Sequence, residues 1–214
     1  MEELVSKKQL ITIIGSGYVG MSLSVLLSKG NNRVKILEID KEKVKKINKG
    51  LSTVRDELIE EHISKEKLNI SATLDPKEAL NDADYFIIAT PTNYDEKTNK
   101  FDTESVKTTI EKILTFSKNG SIIIKSTIPI GYTDYLKEKF KTDRIIFSPE
   151  FLREGNALYD NLYPSRIIMG DNSPAAVCFA EMLKNLSLKK STKIIYMSSM
   201  EAEAVKLFSN TYLA

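Results

Sequence analysis

The sequence contains little of what defines several classes of protein. It has one cysteine, Cys178, among 214 residues, so no disulfide can form within the chain. It has one histidine, His62, and no His/Cys cluster, so we expect no metal site. No apolar run approaches the roughly 18 residues that a membrane-spanning helix needs. The charged residues 1–8 also lack the apolar core of a signal peptide.

An excess of charge of either sign is also missing. The 31 basic and 29 acidic residues are interspersed along the chain and leave a net charge of +2. This balance argues against the basic stripe of a nucleic-acid-binding protein and against a polybasic membrane patch. The lysine-rich stretch 41–49 is interpreted as a solvated helix face. These absences favour a cytoplasmic enzyme without a nucleic-acid or membrane partner.

Short apolar runs alternate with helical patterns along the whole chain. Strands are predicted at residues 10–14, 33–39, 68–73, 85–89, 121–126, 144–148, 166–169 and 193–196. Helices are predicted at residues 18–29, 41–48, 75–81, 103–115, 132–140, 173–186 and from 199 onward. Nearly continuous apolar strands that alternate with helices indicate a mainly parallel sheet covered on both faces, the doubly wound α/β class. Residues 50–67 and 149–164 are predicted as long irregular loops.

The clearest motif is a glycine-rich loop between the first strand and the first helix. Residues 15–20 read Gly-Ser-Gly-Tyr-Val-Gly. In this spacing Gly15 makes a tight turn, Gly17 lets the backbone approach a pyrophosphate, and Gly20 permits close packing of helix and strand. The helix that follows would offer its unpaired N–H groups to the phosphates. We therefore predict a dinucleotide site at this loop.

An acidic residue after the second strand indicates which dinucleotide is bound. Glu38 lies 23 residues after Gly15, close to the distance of about 20 at which an acid binds the ribose hydroxyls. A carboxylate there would repel the additional phosphate of NADP, so NAD is favoured. Asp40 is a second candidate, although its place before the next helix favours an N-cap.

Three polar segments follow predicted strands, at the sheet edge where ligands of open α/β folds bind. They are residues 89–93 (Ala-Thr-Pro-Thr-Asn), 125–131 (Lys-Ser-Thr-Ile-Pro-Ile-Gly) and 148–155 (Ser-Pro-Glu-Phe-Leu-Arg-Glu-Gly). Glu150 and Glu154 would share one face if their segment were helical. Paired carboxylates at this edge could act as general base and positioning group.

The last predicted helix carries a second pair of polar side chains. Lys206 and Asn210 are four residues apart and therefore project from the same helix face. A lysine and an asparagine that converge on a site can stabilise an oxyanion or orient water. Without other motifs, a solvated helix face is the simpler interpretation of this pair.

Taken together, these motifs resemble the UDP-glucose/GDP-mannose dehydrogenase family over about residues 9–214. The resemblance rests on residues 15–20, 89–93, 125–129, 148–155 and 201–210, in the same order along the chain. Residues 157–166 are most similar to the short bacterial members that act on UDP-glucose. The family oxidises the 6-hydroxymethyl group of the sugar to a carboxylate with two NAD⁺, through a cysteine thioester. The resemblance implies a Rossmann-like domain, NAD as cofactor, and conversion of UDP-glucose to UDP-glucuronate.

The resemblance also implies roles for individual residues. Thr127 and Glu154 would position or activate water, whereas Lys206 and Asn210 would stabilise an oxyanion; with Glu150 they form the predicted catalytic set. The predicted NAD-binding residues are Gly15, Gly17, Tyr18, Val19, Gly20, Glu38, Lys43, Thr90, Thr92, Thr127 and Glu154. The predicted substrate-binding residues are Glu150, Phe151, Leu152, Arg153, Glu154, Lys206 and Asn210.

One element of the family pattern is missing. The family's nucleophile lies in a Gly-Phe-Gly-Gly-x-Cys motif beyond a long central helix, and these 214 residues contain no such motif. Cys178 lies in an apolar helical segment and is predicted to be a small buried side chain. The last helical pattern has no terminating signal. We therefore predict a truncated chain: a charged tail (1–9), an NAD-binding domain (10–198) and the start of the central helix (199–214).

Three hypotheses about function stay open at this point. The first is the NAD-binding part of a UDP-glucose dehydrogenase, inactive alone and homodimeric when full length. The second is a dehydrogenase for UDP-N-acetylmannosamine or GDP-mannose, because the family's base and sugar pockets lie largely in its other half. The third is a non-catalytic NAD-binding module.

Overall fold

A computed structural model describes residues 8–95 and 100–213. Residues 1–7 of the predicted tail and Ala214 of the predicted last helix lie outside the described residues. Strands and helices alternate along the described ranges, as the sequence predicts.

The strands of the molecule are, in chain order, β1 (Leu10–Ile14), β2 (Arg33–Leu37), β3 (Ile70–Thr73), β4 (Tyr85–Ile88), β5 (Tyr94–Asp95), β6 (Lys100–Phe101), β7 (Ser121–Ile124), β8 (Ile145–Phe147), β9 (Arg166–Met169) and β10 (Lys193–Tyr196). Six of them form a parallel sheet in the order β3-β2-β1-β4-β7-β8. β9 and β10 form a second parallel pair, and β5 and β6 pair antiparallel. This order confirms the predicted doubly wound, Rossmann-like class.

The helices are α1 (Tyr18–Lys29), α2 (Lys41–Asn48), α3 (Glu57–Lys65), α4 (Pro76–Leu80), α5 (Glu104–Phe116), α6 (Tyr132–Phe140), α7 (Ala157–Leu162), α8 (Pro174–Leu186) and α9 (Ser199–Leu213). The predicted helices are confirmed within one residue at each end where both ends were predicted. Several strands end one or two residues earlier than predicted, because the chain leaves the sheet where the polar strand-end segments begin.

The two stretches predicted as irregular each contain a helix, so that prediction was wrong. Asp56 caps α3, since its Oδ1 accepts a hydrogen bond from the Ile59 N–H at 3.1 Å. Its Oδ2 also accepts from the Leu158 N–H in α7, at 3.3 Å. The two short helices are therefore joined across 102 residues of sequence. The cap of α3 is local to its own sequence, whereas the contact with α7 is tertiary and is not contained in the local pattern of α7.

The apolar core lies on both faces of the main sheet, since side chains along a strand alternate between its faces. In β1, Ile11 and Ile13 contact the core on one face, whereas Ile14 contacts the core on the other. Phe179 of α8 belongs to the first core and Phe86 of β4 to the second, and both side chains are fully buried. Burial on both faces explains why these strands are nearly all apolar.

Helix α9 is docked at its start and exposed toward its end. Ala202 and Glu203 are 0% exposed, whereas Phe208 and Tyr212 are 70% and 79% exposed. The Phe208 and Tyr212 rings stack with their centroids 5.9 Å apart. In the described part of the chain, no helix is both long and apolar enough to pass through a bilayer.

Cys178 is less buried than predicted. It is a free thiol at a half-buried position of α8. The helix turns Ala176, Phe179 and Ala180 toward the core, which leaves Cys178 at the margin of the packed face.

Candidate active site

The carboxyl ends of β1 and β4 form the centre of the candidate site. The two strands are neighbours, paired from Ile11↔Tyr85 to Ile14↔Ile88. The chain continues from β1 toward β2 on one side and from β4 toward β7 on the other. Such a divergence opens a crevice in which ligands of doubly wound folds bind. The glycine loop follows β1 directly and therefore lies at this crevice.

The three glycines of the loop meet different surroundings. Gly15 has φ +98°, a conformation that favours glycine, and an added Cβ would lie 2.7 Å from the Ala89 carbonyl oxygen. A Cβ on Gly20 would lie 2.0 Å from the Gly15 carbonyl oxygen. A Cβ on Gly17 would meet nothing within 4 Å. Of the three, Gly17 is the position at which the backbone faces open space for a ligand.

The N-terminus of α1 fits a phosphate group. Gly17 is the N-cap residue and has no side chain with which to cap the helix. The first N–H groups of a helix lack partners within the helix and carry a partial positive charge. An anion such as a pyrophosphate is therefore stabilised at this end. The space that a Cβ on Gly17 would fill thus fits the dinucleotide that the sequence predicts.

Glu38 lies beside the glycine loop and is almost fully buried. Its carboxylate accepts hydrogen bonds from the backbone N–H (3.1 Å) and the hydroxyl group of Ser16. It also accepts from the N–H groups of Ile39 at 2.7 Å and Asp40 at 3.3 Å. Burial alone would raise the pKa of Glu38, but these hydrogen bonds and the charge of Lys43 outweigh it and lower the pKa. Glu38 is therefore an ionised carboxylate at the end of β2.

Asp40, the second candidate for the ribose, is used by helix α2. Its Oδ1 accepts hydrogen bonds from the N–H groups of Glu42 at 2.8 Å and Lys43 at 3.3 Å. This confirms the N-cap interpretation of Asp40. Glu38 is consequently the acid that contacts the glycine loop.

The ends of β4 and β7 are joined by hydrogen bonds. Ser126 Oγ donates to the Thr90 carbonyl oxygen at 2.6 Å, and Thr90 Oγ1 lies 3.1 Å from Ser105 Oγ. Thr92 and Thr127 continue these strand ends and are half-buried. The structure therefore brings two of the predicted polar segments together. Their contact with NAD stays a prediction.

A buried charged cluster lies where β7 and β8 end. Lys125 Nζ is 3.2 Å from Glu150 Oε2, and the two side chains are 4% and 14% exposed. The same Nζ donates to Ser148 Oγ at 3.4 Å and to the Pro149 carbonyl oxygen at 3.3 Å. The other oxygen of Glu150 accepts from the Phe151 N–H at 2.9 Å. Glu150 is thus held by a lysine that the predicted site residues do not include.

Lys206 reaches the same cluster from helix α9. Its Nζ donates to the backbone carbonyl oxygen of Glu150 and lies 5.5 Å from the centroid of the Phe151 ring. Burial lowers the pKa of Lys206, the Glu150 carboxylate acts against this, and the charge of Lys125 adds to it. A poorly solvated cation of this kind can interact strongly with a negative charge that develops nearby.

A pocket of about 310 Å³ adjoins the charged cluster, and its lining includes Glu150, Phe151, Arg153 and Arg166. The guanidinium carbon of Arg166 lies 4.2 Å from the centroid of the Phe151 ring, a cation–π contact. Sequence reasoning missed Arg166 because it starts β9, whereas candidates were sought where strands end. The sequence feature that could have identified Arg166 is a single basic residue at the start of an otherwise apolar strand.

Glu150 and Glu154 do not share a helix face, because their segment is not helical. Arg153 Nη2 pairs with Asp160 Oδ1 at 2.7 Å, and Gly155 has φ +79°, so the segment ends in a turn. Glu154 is exposed, whereas Glu150 is half-buried. The two carboxylates therefore have different surroundings, and their proposed roles must differ as well.

The remaining predicted site residues lie around these groups. Tyr18 and Val19 begin α1, Lys43 lies in the first turn of α2, and Leu152 follows Phe151; all four are half-buried. Asn210 lies four residues after Lys206 on α9 and is exposed.

Residues 8–95 and 100–213 contain no group of three or more His, Cys, Asp and Glu side chains that could hold a metal ion. His62 instead lies 2.5 Å from a Glu66 carboxylate oxygen and 3.0 Å from Lys29 Nζ. This surface group joins the end of α1 to α3.

Sequence comparison places the chain beside a group of dehydrogenases. Residues 9–187 match the UDP-glucose/GDP-mannose dehydrogenase family, NAD binding domain. A UDP-glucose 6-dehydrogenase of Streptococcus pneumoniae is 50% identical in an alignment of 210 residues that covers 95% of this chain and 53% of that protein. A UDP-glucose 6-dehydrogenase of Campylobacter jejuni is 50% identical in an alignment of 206 residues that covers 95% of this chain and 52% of that protein. The chain spans about half the length of the curated relatives it matches.

Solved structures share the fold. A UDP-glucose dehydrogenase from Pyrobaculum islandicum has a TM-score of 0.85 at 24% identity, over 97% of this chain and 50% of that one. A GDP-mannose dehydrogenase from Pseudomonas aeruginosa has a TM-score of 0.83 at 22% identity, over 95% and 49%. Because proteins with different substrates match equally well, these similarities show the fold and not the substrate.

Proposed function

The chain belongs to the UDP-glucose/GDP-mannose dehydrogenase family, and on that premise we propose that it is the NAD-binding part of an enzyme that oxidises UDP-glucose to UDP-glucuronate. The observation that carries the proposal is the open N-terminus of α1 at Gly17, beside the ionised Glu38. The choice of UDP-glucose is supported by two relatives at 50% identity that are UDP-glucose 6-dehydrogenases. In this proposal residues 10–198 are the NAD-binding domain and 199–214 start a central helix.

The proposed NAD site follows the carboxyl edge of the sheet. The first N–H groups of α1 bind the pyrophosphate, and Glu38 accepts hydrogen bonds from the adenosine ribose. Lys43, at the start of α2, lies close enough to lower the pKa of Glu38 and would meet the same part of the dinucleotide. The strand-end residues Thr90, Thr92 and Thr127, together with Glu154, line the path toward the reacting end.

In the proposed reaction, bound NAD⁺ supplies the acceptor for hydride from carbon 6 of the sugar. Lys206 stabilises negative charge on the substrate oxygen, because its ammonium group is poorly solvated. Asn210, on the same helix face, orients that oxygen or a water. Each of two successive oxidation steps needs one NAD⁺ as acceptor, and Thr127 and Glu154 would hold the water that then hydrolyses the thioester to the carboxylate. Glu150 and the segment that follows it contact the sugar, beside the pocket of about 310 Å³.

The proposed enzyme needs a cysteine nucleophile that these 214 residues do not provide in the family's motif. We therefore expect the chain alone to bind NAD(H) and to turn over little or no UDP-glucose. We also propose that the full-length enzyme is cytoplasmic and a homodimer. The exposed, stacked Phe208 and Tyr212 rings on α9 support a contact there. Light scattering of the full-length protein tests the dimer.

Titration of the purified chain with NADH, followed by nucleotide fluorescence, tests cofactor binding. We expect NADH to bind and NADPH to bind more weakly, because Glu38 is ionised. Gly17→Ala should weaken NADH binding strongly while the circular dichroism and melting temperature stay close to those of the parent chain, because a Cβ at Gly17 meets open space. A parent chain that does not bind NADH would overturn the proposal.

Turnover assays test which sugar is oxidised and whether the 214-residue chain is active alone. We expect this chain to form almost no NADH from UDP-glucose, and robust NADH formation would contradict this part of the proposal. With the full-length protein, UDP-glucose should be oxidised faster than UDP-N-acetylmannosamine or GDP-mannose. A preference for either of the other sugars would transfer the function to that substrate.

A further inference from the structure

Lys125 is a buried cation that has no part in the function proposed above. It follows β7, and its side chain is 4% exposed. Its ammonium group contacts Ser148 Oγ, the Pro149 carbonyl oxygen and a Glu150 carboxylate oxygen, at 3.4, 3.3 and 3.2 Å. A lysine is rarely buried without a partner, and this one has its partner within the predicted substrate site.

Glu150 is contacted by two lysines at two different groups. Lys125 holds the carboxylate, at 3.2 Å from Oε2. Lys206 donates instead to the backbone carbonyl oxygen of Glu150. The Phe151 N–H occupies the second carboxylate oxygen, at 2.9 Å. Lys206 consequently forms no ion pair with a carboxylate of the described residues, although it contacts the backbone of Glu150, whose own carboxylate is bound by Lys125.

The other charged groups near Lys206 do not neutralise it. Arg166 of β9 is a further cation, and its guanidinium group lies over the same Phe151 ring, 4.2 Å from the centroid. Glu203 lies on α9 itself, but its carboxylate accepts hydrogen bonds from Gly131 and Thr133 at the start of α6. The pairing of Lys125 with Glu150 therefore decides how much negative charge Lys206 meets.

We propose that Lys125 is a positioning residue, which holds the Glu150 carboxylate and thereby keeps it from pairing with Lys206. The ammonium group of Lys206 then stays available to negative charge on the substrate. This role rests on the proposed function as far as the substrate is concerned. The arrangement of the three side chains is independent of that function and is measurable without any substrate.

The test is an NMR titration of lysine side chains in the 214-residue chain with isotope-labelled lysine, in which Lys206→Arg identifies the Lys206 signal. Lys125→Met removes a repelling charge and releases the Glu150 carboxylate, so we expect the pKa of Lys206 to rise by about one unit. Lys125→Arg keeps the charge and should leave the Lys206 titration close to that of the parent. A folded Lys125→Met chain with an unchanged or lower Lys206 pKa would overturn the proposal.

Lys35→Met is the matched control, because Lys35 is also poorly exposed and paired, 3.1 Å from Glu78 Oε1 at the opposite side of the sheet. It should not change the titration of Lys206. A general disturbance of the fold would move the Lys206 signal in both variants, whereas the proposed pairing moves it in Lys125→Met alone.

Glu150→Gln answers the same question if Lys125→Met does not fold. The ammonium protons of Lys125 should then exchange faster with water, because Lys125 loses its carboxylate partner. Those of Lys206 should change less, because its acceptor is a backbone oxygen. A larger change at Lys206 than at Lys125 contradicts the proposal. The two proposals can fail separately. A chain that does not bind NADH would overturn the proposed function, but the lysine titrations could still be interpreted because they need no ligand.

Discussion

Helices α1 and α6 begin at comparable places in the fold, yet their N-termini are satisfied differently. Each follows a strand of the main sheet, and each has a glycine as N-cap, Gly17 and Gly131. At α6, the Glu203 carboxylate accepts hydrogen bonds from the Gly131 N–H (2.5 Å), the Thr133 N–H (2.8 Å) and the Thr133 hydroxyl (2.6 Å). At α1, no carboxylate of the described residues takes the corresponding place beyond Gly17.

Both helix ends suit an anion, but the residues that the structure describes supply one only at α6. Glu203 is fully buried, and its carboxylate fills the end of α6. Burial raises its pKa, the hydrogen bonds from Thr133 and Gly131 act against this, and Asp134 adds to the rise. The end of α1 faces open space, with Glu38 beside it as an ionised group. One end is therefore closed by a side chain of the protein, and the other is the end at which we propose that a phosphate of the cofactor binds.

The largest effect is expected from Gly20→Ala, which tests the tight packing of the α1 end. The new Cβ would lie 2.0 Å from the Gly15 carbonyl oxygen, so the loop or the helix must move. We expect the melting temperature to fall by about 10 °C or more and NADH binding to be lost. Gly17→Ala is the control, since its Cβ meets nothing within 4 Å and stability should change little. Equal melting temperatures for the two variants would contradict the difference between tight packing at Gly20 and open space at Gly17.

The second effect concerns the joint at α6. Glu203→Ala leaves two backbone N–H groups and a hydroxyl without their acceptor in a buried place. The free energy of unfolding should fall by about 3 kcal/mol in urea denaturation. Glu201→Ala, an exposed acid on the same helix, should lose clearly less. A stability loss no larger than that of Glu201→Ala would show that Glu203 is not the anion that closes α6.

A smaller effect is expected for the acid beside the open end of α1. Glu38→Gln keeps the size of the side chain but removes its charge, so the Kd for NADH should rise about tenfold, or about 1.4 kcal/mol. The preference for NADH over NADPH should also shrink, because less charge repels the additional phosphate. Glu42→Gln, a nearby exposed acid paired with Lys45 at 2.7 Å, is the control and should bind NADH as the parent does. Unchanged NADH affinity in Glu38→Gln would remove Glu38 from the site.

The smallest effect is a difference in pH dependence between the two carboxylates. Glu38 has a lowered pKa, so its contribution to stability is present above the ordinary value of 4.5 and is lost as the pH falls through its lowered pKa. Glu203 has a raised pKa, so the part of its contribution that depends on the bound proton is largest below 4.5 and is lost as the pH rises through its raised pKa, whereas its hydrogen bonds to the start of α6 remain. Urea denaturation at a series of pH values measures the difference in the free energy of unfolding between parent and variant. As the pH falls, this difference should become smaller for Glu38→Gln and larger for Glu203→Gln. The same pH dependence in both variants would contradict the assigned pKa directions.

The sequence was sufficient for the main sheet and the glycine loop for local reasons. Strands such as Tyr85–Ile88 are buried on both faces, and such strands are apolar throughout. Gly20 is required by a contact with Gly15, which lies close in sequence, and Gly15 adopts a positive φ that favours glycine whatever its neighbours are. Asp40 was assigned to its helix end for the same reason, because an N-cap bonds to residues two and three positions onward.

The charged cluster could not be predicted in the same way. Lys125, Glu150 and Lys206 come from three segments, and which lysine takes the carboxylate depends on how these segments meet in the fold. Helix spacing predicted a pairing of Glu150 with Glu154, but Arg153 is drawn to Asp160 and the segment turns instead. Helix α7 could not be predicted from its own segment, because it is joined to Asp56 from 102 residues away. Helix α3 does carry a local signal, its N-cap Asp56, which the prediction of a loop overlooked.

The sequence by itself determined the α/β class, the strand–loop–helix unit at Gly15 to Gly20 and the acid that contacts it, because these depend on periodicity, backbone sterics and neighbours along the chain. Only the tertiary structure decided that Glu203 closes the end of α6 while the end of α1 stays open, and that Lys125 rather than Lys206 holds the Glu150 carboxylate. Those outcomes depend on which side chains meet in three dimensions when a helix docks, and no local pattern encodes the choice of partner.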